Sequence, residues 1–435
     1  MFGWRPREGH DYGDAVMNAL GALPRLIAAG DPLLESIDFV ALVIVIIKTL
    51  VVFGVVLVSV LFMIWFERKV ISDMQSRVGP DEAGRWGTLQ SVADGIKIFF
   101  KEGFVPAQAD RRVYKLAPYL AVVPAFMSFA IVPLGGEISI AHRHTLLQLA
   151  DPPVGILWLL AMSGVAVYGV MLAGWSSGSK YPLLGGVRAS AQMVSYEAAL
   201  GLSVASVVLV TGSLSTRDIV AQQSTAGIGN LLPNWNIIQL AVVPFIIFVI
   251  AATAELNRPP FDLVEAESEL VGGFNTEYAS VGFALFYLAE FMNTVTMSAI
   301  IVTLFLGGPT GPWYSTAPIL NWLLPILYFV GKELVFLFVY VWFRASLPRM
   351  RYDQLMDLGW KLLIPGALGW LLVIATIRIA PSSNTSRFGY AAGAVVLGMV
   401  AYFMLARSIG VGRHRTDLTR AGGASPGERA VGDER

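Results

Sequence analysis

The chain contains no cysteine among its 435 residues. It therefore offers no thiolate ligands for an iron–sulfur cluster, and disulfides say nothing about its compartment. Charge is also scarce, since Asp, Glu, Lys and Arg make up 14% of the residues, against about 25% in soluble domains. The formal net charge is zero, so no overall field attracts nucleic acid. We expect neither a nucleic-acid-binding protein nor an ordinary soluble domain.

Histidine is rare as well, and all four histidines lie outside the long apolar runs. No spanning pair is therefore present to hold a b-type haem. His142 and His144 alternate on one loop, where a zinc site is the alternative to an ordinary solvated loop. No phosphate-binding Gly-rich loop or dinucleotide fingerprint occurs. We expect no metal ligand and no NADH, flavin or iron–sulfur site in this chain, so any electrons must come from a partner.

What the chain does contain is long apolar segments: 55% of its residues are hydrophobic and the mean hydropathy is +0.63. A helix that spans a bilayer needs about 20 mostly apolar residues. Buried helices of a large soluble protein are the alternative, but the runs are too numerous and long. The pattern predicts an all-α polytopic membrane helix bundle with about nine transmembrane helices. The predicted spans are Phe39–Phe66, Leu116–Leu134, Val154–Trp175, Ala191–Val210, Ile237–Ala254, Val281–Leu306, Pro318–Phe343, Leu362–Ile379 and Phe388–Ala406.

Lysine and arginine concentrate in the loops after spans one, three, five and seven. The positive-inside rule places these long loops in the cytoplasm and the N-terminus outside, in a multi-pass protein of the cell inner (plasma) membrane. Four parts are predicted: an exterior segment over 1–38, a helix bundle over 39–380, an additional spanning helix over 381–407, and a disordered cytoplasmic tail over 408–435.

The first cytoplasmic loop contains a candidate interfacial helix at Thr88–Glu102. Its apolar residues recur at helical spacing, as in an amphipathic helix that lies at the membrane surface. They are Leu89, Val92, Ile96 and Phe99.

Several charged residues fall within or at the end of predicted spans, where charge is costly and usually marks an ion or proton path. Glu197 lies in the fourth span, Glu255 ends the fifth and Glu290 lies in the sixth. Lys332 and Glu333 are adjacent in the seventh. A structural ion pair is an equal alternative for each one. As a set, the acids suggest a relay of titratable groups.

The loop Ala254–Tyr278 is the densest cluster of charge. Its acids include Asp262, Glu265, Glu267 and Glu269. Pro259 and Pro260 prevent a helix there and favour an extended turn. A solvated acidic loop is the ordinary interpretation of such a run. Because apolar residues such as Phe261 and Phe274 interleave with the acids, we expect the loop to fold back against protein or membrane instead.

Three stretches resemble signatures of one family, that of the quinone-site membrane component of bacterial respiratory complex I, known as its H subunit. The first runs from Glu67-Arg68-Lys69 through Gln75 and Arg77 to Gly79-Pro80, the second is Ala254–Tyr278, and the third runs from Trp342 to Met356. We call them the first, second and third motif stretches. The likeness covers about Phe39 to Ile379. Two departures are that Asp81-Glu82 follow Gly79-Pro80 where the family usually has Asn-Arg, and that Ser72 replaces a common Gly.

The resemblance implies a membrane subunit of the proton-translocating NADH:quinone oxidoreductase, with the quinone (ubiquinone or menaquinone) as substrate. It implies a quinone tunnel shared with the peripheral-arm subunits that carry the terminal iron–sulfur cluster, and contacts with small membrane subunits and lipid. The expected quinone-binding residues are Glu67, Arg68, Gln75, Arg77, Asp94, Lys97, Phe261 and Phe274. The expected proton-coupling residues are Glu197, Glu255, Arg258, Asp262, Glu265, Glu267, Glu269 and Glu290.

Two alternatives stay open at this point. The equivalent membrane subunit of a related proton-pumping hydrogenase or a deazaflavin-dependent quinone reductase shares part of the second motif stretch. An ion-coupled secondary transporter is a different class, and would show paired interrupted helices in two repeats. The sequence shows no such paired interruptions.

Overall fold

The computed structural model describes residues 38–140, 143–224, 234–240, 242–263, 270–311 and 318–379, together with residue 393. Several predictions concern residues outside these ranges. They are the exterior segment before residue 38, nearly all of the ninth span Phe388–Ala406, the tail over 408–435, and the acidic residues Glu265, Glu267 and Glu269.

The described residues are mostly helical, which confirms the predicted all-α class. The strands among them form a short antiparallel hairpin of β1 (Glu137–Ile140) and β2 (Arg143–Leu146), with Ile138 opposite Thr145. The α-helices are α1 (Phe39–Met74), α2 (Gln90–Phe99), α3 (Arg111–Phe129), α4 (Gly155–Ser176), α5 (Lys180–Thr211), α6 (Thr216–Gln223), α7 (Asn236–Gln239), α8 (Val243–Glu255), α9 (Ser280–Phe305), α10 (Pro318–Ser346), α11 (Tyr352–Asp357) and α12 (Ile364–Ile379). A π-helical segment (Leu358–Leu363) joins α11 to α12.

Each of the first eight predicted spans overlaps a helix, and the fifth overlaps two, α7 and α8. Among the described residues, six helices are long and apolar enough to cross a membrane: α1, α4, α5, α9, most of α10, and the continuous segment Tyr352–Arg378. The helices of the other two predicted spans do not meet these criteria of length and hydropathy. Helix α8 is apolar but has 13 residues. Helix α3 begins with the charged residues Arg111, Arg112 and Lys115, which lower its hydropathy.

The predicted ends of the spans were less accurate than their predicted positions along the chain. Helix α1 continues to Met74 rather than ending at Phe66, and α5 begins at Lys180 rather than Ala191. A helix need not end where its apolar face ends: the 36 residues of α1 extend about 54 Å, well beyond a hydrocarbon layer of about 30 Å. The predicted fifth span was too long, because Val242 has a left-handed φ of 67° that separates α7 from α8.

Helix α9 is the central element of the bundle. It packs against α1, α3, α8 and α10, and 83% of the residues in its most apolar stretch are buried. Its buried hydroxyls mostly bond within the helix, as Ser298 Oγ donates to Thr294 O and Thr303 Oγ1 donates to Ala299 O. Helix α1 lies at the periphery and exposes a row of large apolar side chains, as expected for a helix that faces lipid.

The loops that carry the motif stretches converge at one end of the bundle, which we call the motif end. Asp110 N donates to Ser176 O and Met350 N donates to Pro260 O. Tyr114 on α3 stacks on Tyr278 at 4.1 Å between ring centroids, and each hydroxyl donates to a backbone carbonyl of the other segment. Burial raises the pKa of Tyr278 to about 12, so its hydroxyl remains a donor. These contacts join the second motif stretch to the third and to α3.

The predicted amphipathic helix is confirmed as α2, at the motif end. Its apolar side chains Leu89, Ile96 and Phe99 are exposed, while Ser280 Oγ at the start of α9 donates to Ile98 O. The helix is therefore attached along one side and presents its apolar residues outward.

Candidate functional site

Glu67 is the point at which the three motif stretches meet. Its side chain is only 6% exposed and lies on the part of α1 that extends beyond the predicted span. Arg258 of the second motif stretch places Nη1 2.5 Å from Glu67 Oε2. Arg344 of the third motif stretch is paired with the other carboxylate oxygen. One buried carboxylate thus joins two arginines that are distant in sequence. We call Glu67, Arg258, Arg344 and Glu290 the charge cluster.

Arg258 links this carboxylate to a second acid on the central helix. Its Nε lies 3.1 Å from Glu290 Oε1, although its N–H is not directed at that oxygen. The contact is therefore an ion pair without a well-formed hydrogen bond. The guanidinium also lies 4.4 Å from the centroid of the Phe291 ring, a favourable cation–π arrangement. Two arginines and two carboxylates leave the cluster formally neutral, so the buried charges of Glu67 and Arg258 are compensated.

The turn that carries Arg258 is held by backbone contacts. Helix α8 ends at Glu255, and a cis peptide bond joins Pro259 and Pro260. The fully buried Gln192 on α5 donates Nε2 to Ala254 O at 2.7 Å and to Phe261 O at 2.8 Å. These bonds bridge the two sides of the turn. The predicted coupling residue Asp262 is also buried and paired with Arg349 of the third motif stretch at 3.1 Å.

An open cavity of about 380 Å³ lies beside the charge cluster. Four predicted quinone-binding residues line it together, namely Glu67, Arg68, Gln75 and Arg77. Within it, Arg77 Nε donates to Gln75 Oε1 at 2.7 Å. Apolar surface completes the wall. The remaining lining residues are Ile64, Ile71, Tyr287, Phe291, Arg344 and Ala345.

The other predicted quinone-binding residues lie around or away from this cavity. Asp94 on α2 pairs with Arg68 at 2.5 Å, and thus joins the amphipathic helix to the cavity wall. Lys97 is exposed on the last turn of α2. Phe261 is buried against Tyr196 at 5.6 Å between ring centroids, and Phe274 packs edge-on against Phe286. The structure therefore groups five of the eight residues and places both phenylalanines in the packed core.

A second group of acids lies deeper in the bundle. Glu255 is 7% exposed, and its carboxyl group lies near enough to Glu197 for their charged forms to repel. The Ser163 side chain lies beside both carboxyl groups. A cavity of about 60 Å³ extends from Glu255 to Glu290, and a second of about 20 Å³ extends from Glu255 past Ser163. Each exceeds the roughly 15 Å³ needed for one water molecule.

Sequence reasoning missed several residues of this arrangement. Arg344 lies in the third motif stretch, but nothing in the sequence indicates that it pairs with Glu67. Gln192 and Ser163 had no local signal, because a buried amide or hydroxyl in a span is ordinarily structural. Asn293 could have been found from its position one helical turn after Glu290. Within the described ranges no three His, Asp or Glu side chains group as a metal site.

Comparisons with known proteins identify the family to which the chain belongs. A family model described as NADH dehydrogenase matches residues 47–375. Proteins named as the H subunit of NADH-quinone oxidoreductase, from Frankia casuarinae and Frankia alni, are each 47% identical over 91% of this chain and 86% of theirs. The protein of the same name from Streptomyces avermitilis is 49% identical over 78% of this chain and 74% of its own. The chain belongs to the H-subunit family of NADH-quinone oxidoreductase, and is a membrane subunit of that complex I enzyme.

Proposed function

We propose that the open cavity beside Glu67 is where the quinone headgroup binds in the assembled enzyme. The observation that carries the proposal is the meeting of all three motif stretches at a charge-balanced cluster around the buried Glu67, on the wall of this cavity. Its volume of about 380 Å³ lies within the range of about 300–1,000 Å³ usual for small-molecule sites. In this proposal the chain ligates no cofactor, and the quinone binds as a substrate.

The lining suits a quinone chemically. Arg68, Gln75 and Arg77 supply hydrogen-bond donors for the quinone oxygens, and donors of this kind stabilise negative charge that develops on them during reduction. Ile64, Ile71 and Phe291 supply apolar surface for the ring and the start of its tail. Electrons arrive from outside the chain. We propose that peripheral-arm subunits with a terminal iron–sulfur cluster close the cavity, and that small membrane subunits and lipid contact the exposed helices.

We further propose that Glu290, Glu255 and Glu197 form a proton path that begins at the charge cluster. Reduction of a quinone to a quinol takes up two electrons and two protons, so it changes the charge beside Glu67. Arg258 carries that change to Glu290 through their ion pair. Because the charged forms of Glu255 and Glu197 repel each other, a proton on one favours ionisation of the other. The loop between α8 and α9 contains four further acids, Asp262, Glu265, Glu267 and Glu269. We propose that they also take part in the path.

Filling the cavity should block quinone access without disturbing the rest of the enzyme. We expect Ile71→Trp, which projects a large ring from α1 into the cavity, to lower NADH:quinone reductase activity about tenfold or more. Reduction of a water-soluble artificial acceptor by the peripheral arm should stay near normal. Val58→Trp is the matched control, because Val58 lies on the same helix, is 64% exposed and does not line the cavity. Equal loss of both activities in Ile71→Trp, or an equal effect of the control, would contradict the assignment.

We propose that the motif end of the bundle faces the cytoplasm. The native chain has no cysteine, so a single introduced cysteine is the only thiol of this subunit. Lys101 and Ser224 are exposed at opposite ends of the bundle. A membrane-impermeant maleimide should label Lys101→Cys only in inside-out vesicles and Ser224→Cys only in right-side-out cells. The reverse pattern would invert the orientation of every motif stretch.

A further inference from the structure

Beyond Glu290, the central helix α9 continues with a polar stripe that faces the proposed proton path. Asn293 and Thr296 follow Glu290 at intervals of three residues, so the three side chains lie along one face of the helix. Asn293 lines both of the cavities that meet at Glu255, and Thr296 lines the smaller one. The inference rests on the proposed function, since it concerns how protons cross between Glu290 and Glu255.

Two buried polar atoms in the smaller cavity have no hydrogen-bond partner among the described residues. They are Glu255 Oε2 and Thr296 Oγ1, on side chains whose residues are 7% and 2% exposed. Thr296 differs in this respect from Thr294, Ser298 and Thr303 on the same helix, whose hydroxyls donate to carbonyls one turn back. Buried polar atoms without partners are rare in folded proteins, and ordered water usually pairs with them.

The cavity is suited to such a water molecule. Its volume of about 20 Å³ is enough for roughly one water. A bound water needs two to four polar partners, and Glu255, Thr296 and Asn293 all line this space. The larger cavity continues from Asn293 and Glu255 to Glu290, and also contains the buried and unpartnered Asn275 Oδ1.

We propose that Asn293 and Thr296 are positioning residues that hold the water through which protons pass between Glu290 and Glu255. In the step, the O–H bond of protonated Glu290 breaks and water in the larger cavity accepts the proton. That water passes a proton to the water held by Asn293 and Thr296, which in turn gives up one of its own protons to Glu255 Oε2. No electrons move, and the net change is one proton transferred from Glu290 to Glu255.

The test uses isosteric substitutions in the intact complex. Thr296→Val removes the hydroxyl while keeping the shape, and Asn293→Leu does the same for the amide. We expect each to lower NADH:quinone turnover about tenfold, which corresponds to about 1.4 kcal/mol of barrier, with normal artificial-acceptor activity and a larger solvent deuterium isotope effect. Thr296→Ser should restore turnover. Thr303→Val is the matched control, because Thr303 is buried on the same helix and lines neither cavity.

Infrared difference spectroscopy supplies a readout that a purely structural role would not change. We expect Thr296→Val to shift a carboxyl band that is absent in Glu255→Gln. If Thr296→Val and Asn293→Leu behave like Thr303→Val while Glu255→Gln is inactive, the water site is wrong and the proton path stands. If Glu255→Gln itself turns over normally, the proton path is wrong, and the water site with it.

Discussion

Glu67→Gln is expected to reduce NADH:quinone reductase activity about a hundredfold or more. The Glu67 side chain is 6% exposed, and its two oxygens pair with Arg258 and Arg344. The glutamine keeps the size of the side chain but removes the charge that compensates two cations. Removing one partner from a buried ion pair typically costs about 3–5 kcal/mol, which is enough to separate the second and third motif stretches from α1.

The measurement separates assembly from catalysis. Assembled complex is quantified in native gels of membranes, and quinone reductase and artificial-acceptor activities are normalised to it. We expect less assembled complex, and little quinone reduction by what remains. Asp81→Asn is the control, because Asp81 is an exposed carboxylate at the same end of the bundle. Adding Arg344→Gln to Glu67→Gln removes one unpaired cation and should recover part of the assembly. Normal assembly and turnover in the single variant would show that this cluster does not hold the motif stretches together.

The charge cluster also shows what the sequence could and could not predict. Hydropathy located the helices of the first eight predicted spans because a membrane imposes one strong requirement, which is a long apolar run in which all backbone groups are paired. It could not predict that Glu67 pairs with residues 191 and 277 positions away. Those pairs depend on how the helices pack around α9, which contacts α1, α3, α8 and α10.

Sequence patterns predicted the structure well where the interactions involved act over only a few residues. The amphipathic spacing of α2 gave its position within two or three residues at each end, and the prolines after α8 correctly indicated the end of that helix. Boundaries failed where apolar length and helix length differ, as in α1 and α5. The predicted role of Phe261 and Phe274 in quinone binding came from their motif stretch alone. Their packing in the core depends on tertiary contacts that no spacing reveals.

Ser72, which replaces a Gly that is common in the family, packs against the turn that follows α1. Ser72 is fully buried and donates Oγ to Lys69 O at 2.7 Å within α1. A Cβ atom added at Gly79 would lie 2.3 Å from that oxygen, so the glycine leaves the space that the serine fills. The turn after α1 can therefore fold back close to the last turns of α1, which ends at Met74 within the first motif stretch. The exposed Asp81 and Glu82 lie beyond this contact and outside the charge cluster.

Glu255→Gln is expected to lower both quinone reductase turnover and proton pumping about a hundredfold or more, which is within the usual range for loss of a general acid–base group. The glutamine keeps the shape of the side chain, so the complex should assemble. Its amide does not titrate, so the two cavities that meet at this residue would no longer lead to a group that accepts protons. Electron transfer falls as well, because in a coupled enzyme the quinone step cannot proceed when the linked protons do not move.

Glu197→Gln should have a similar effect, since Glu197 interacts with Glu255 and shares Ser163 with it. Asp353→Asn is the control, because Asp353 is an exposed acid in the first turn of α11 that lines neither cavity. Turnover is measured with a quinone analogue in proteoliposomes, and pumping by the quench of a pH-sensitive dye. Protons moved per electron then separate the alternatives. A proportional fall in turnover and pumping supports a path through Glu255, whereas full turnover and an unchanged proton ratio in both Gln variants would show that these acids are structural.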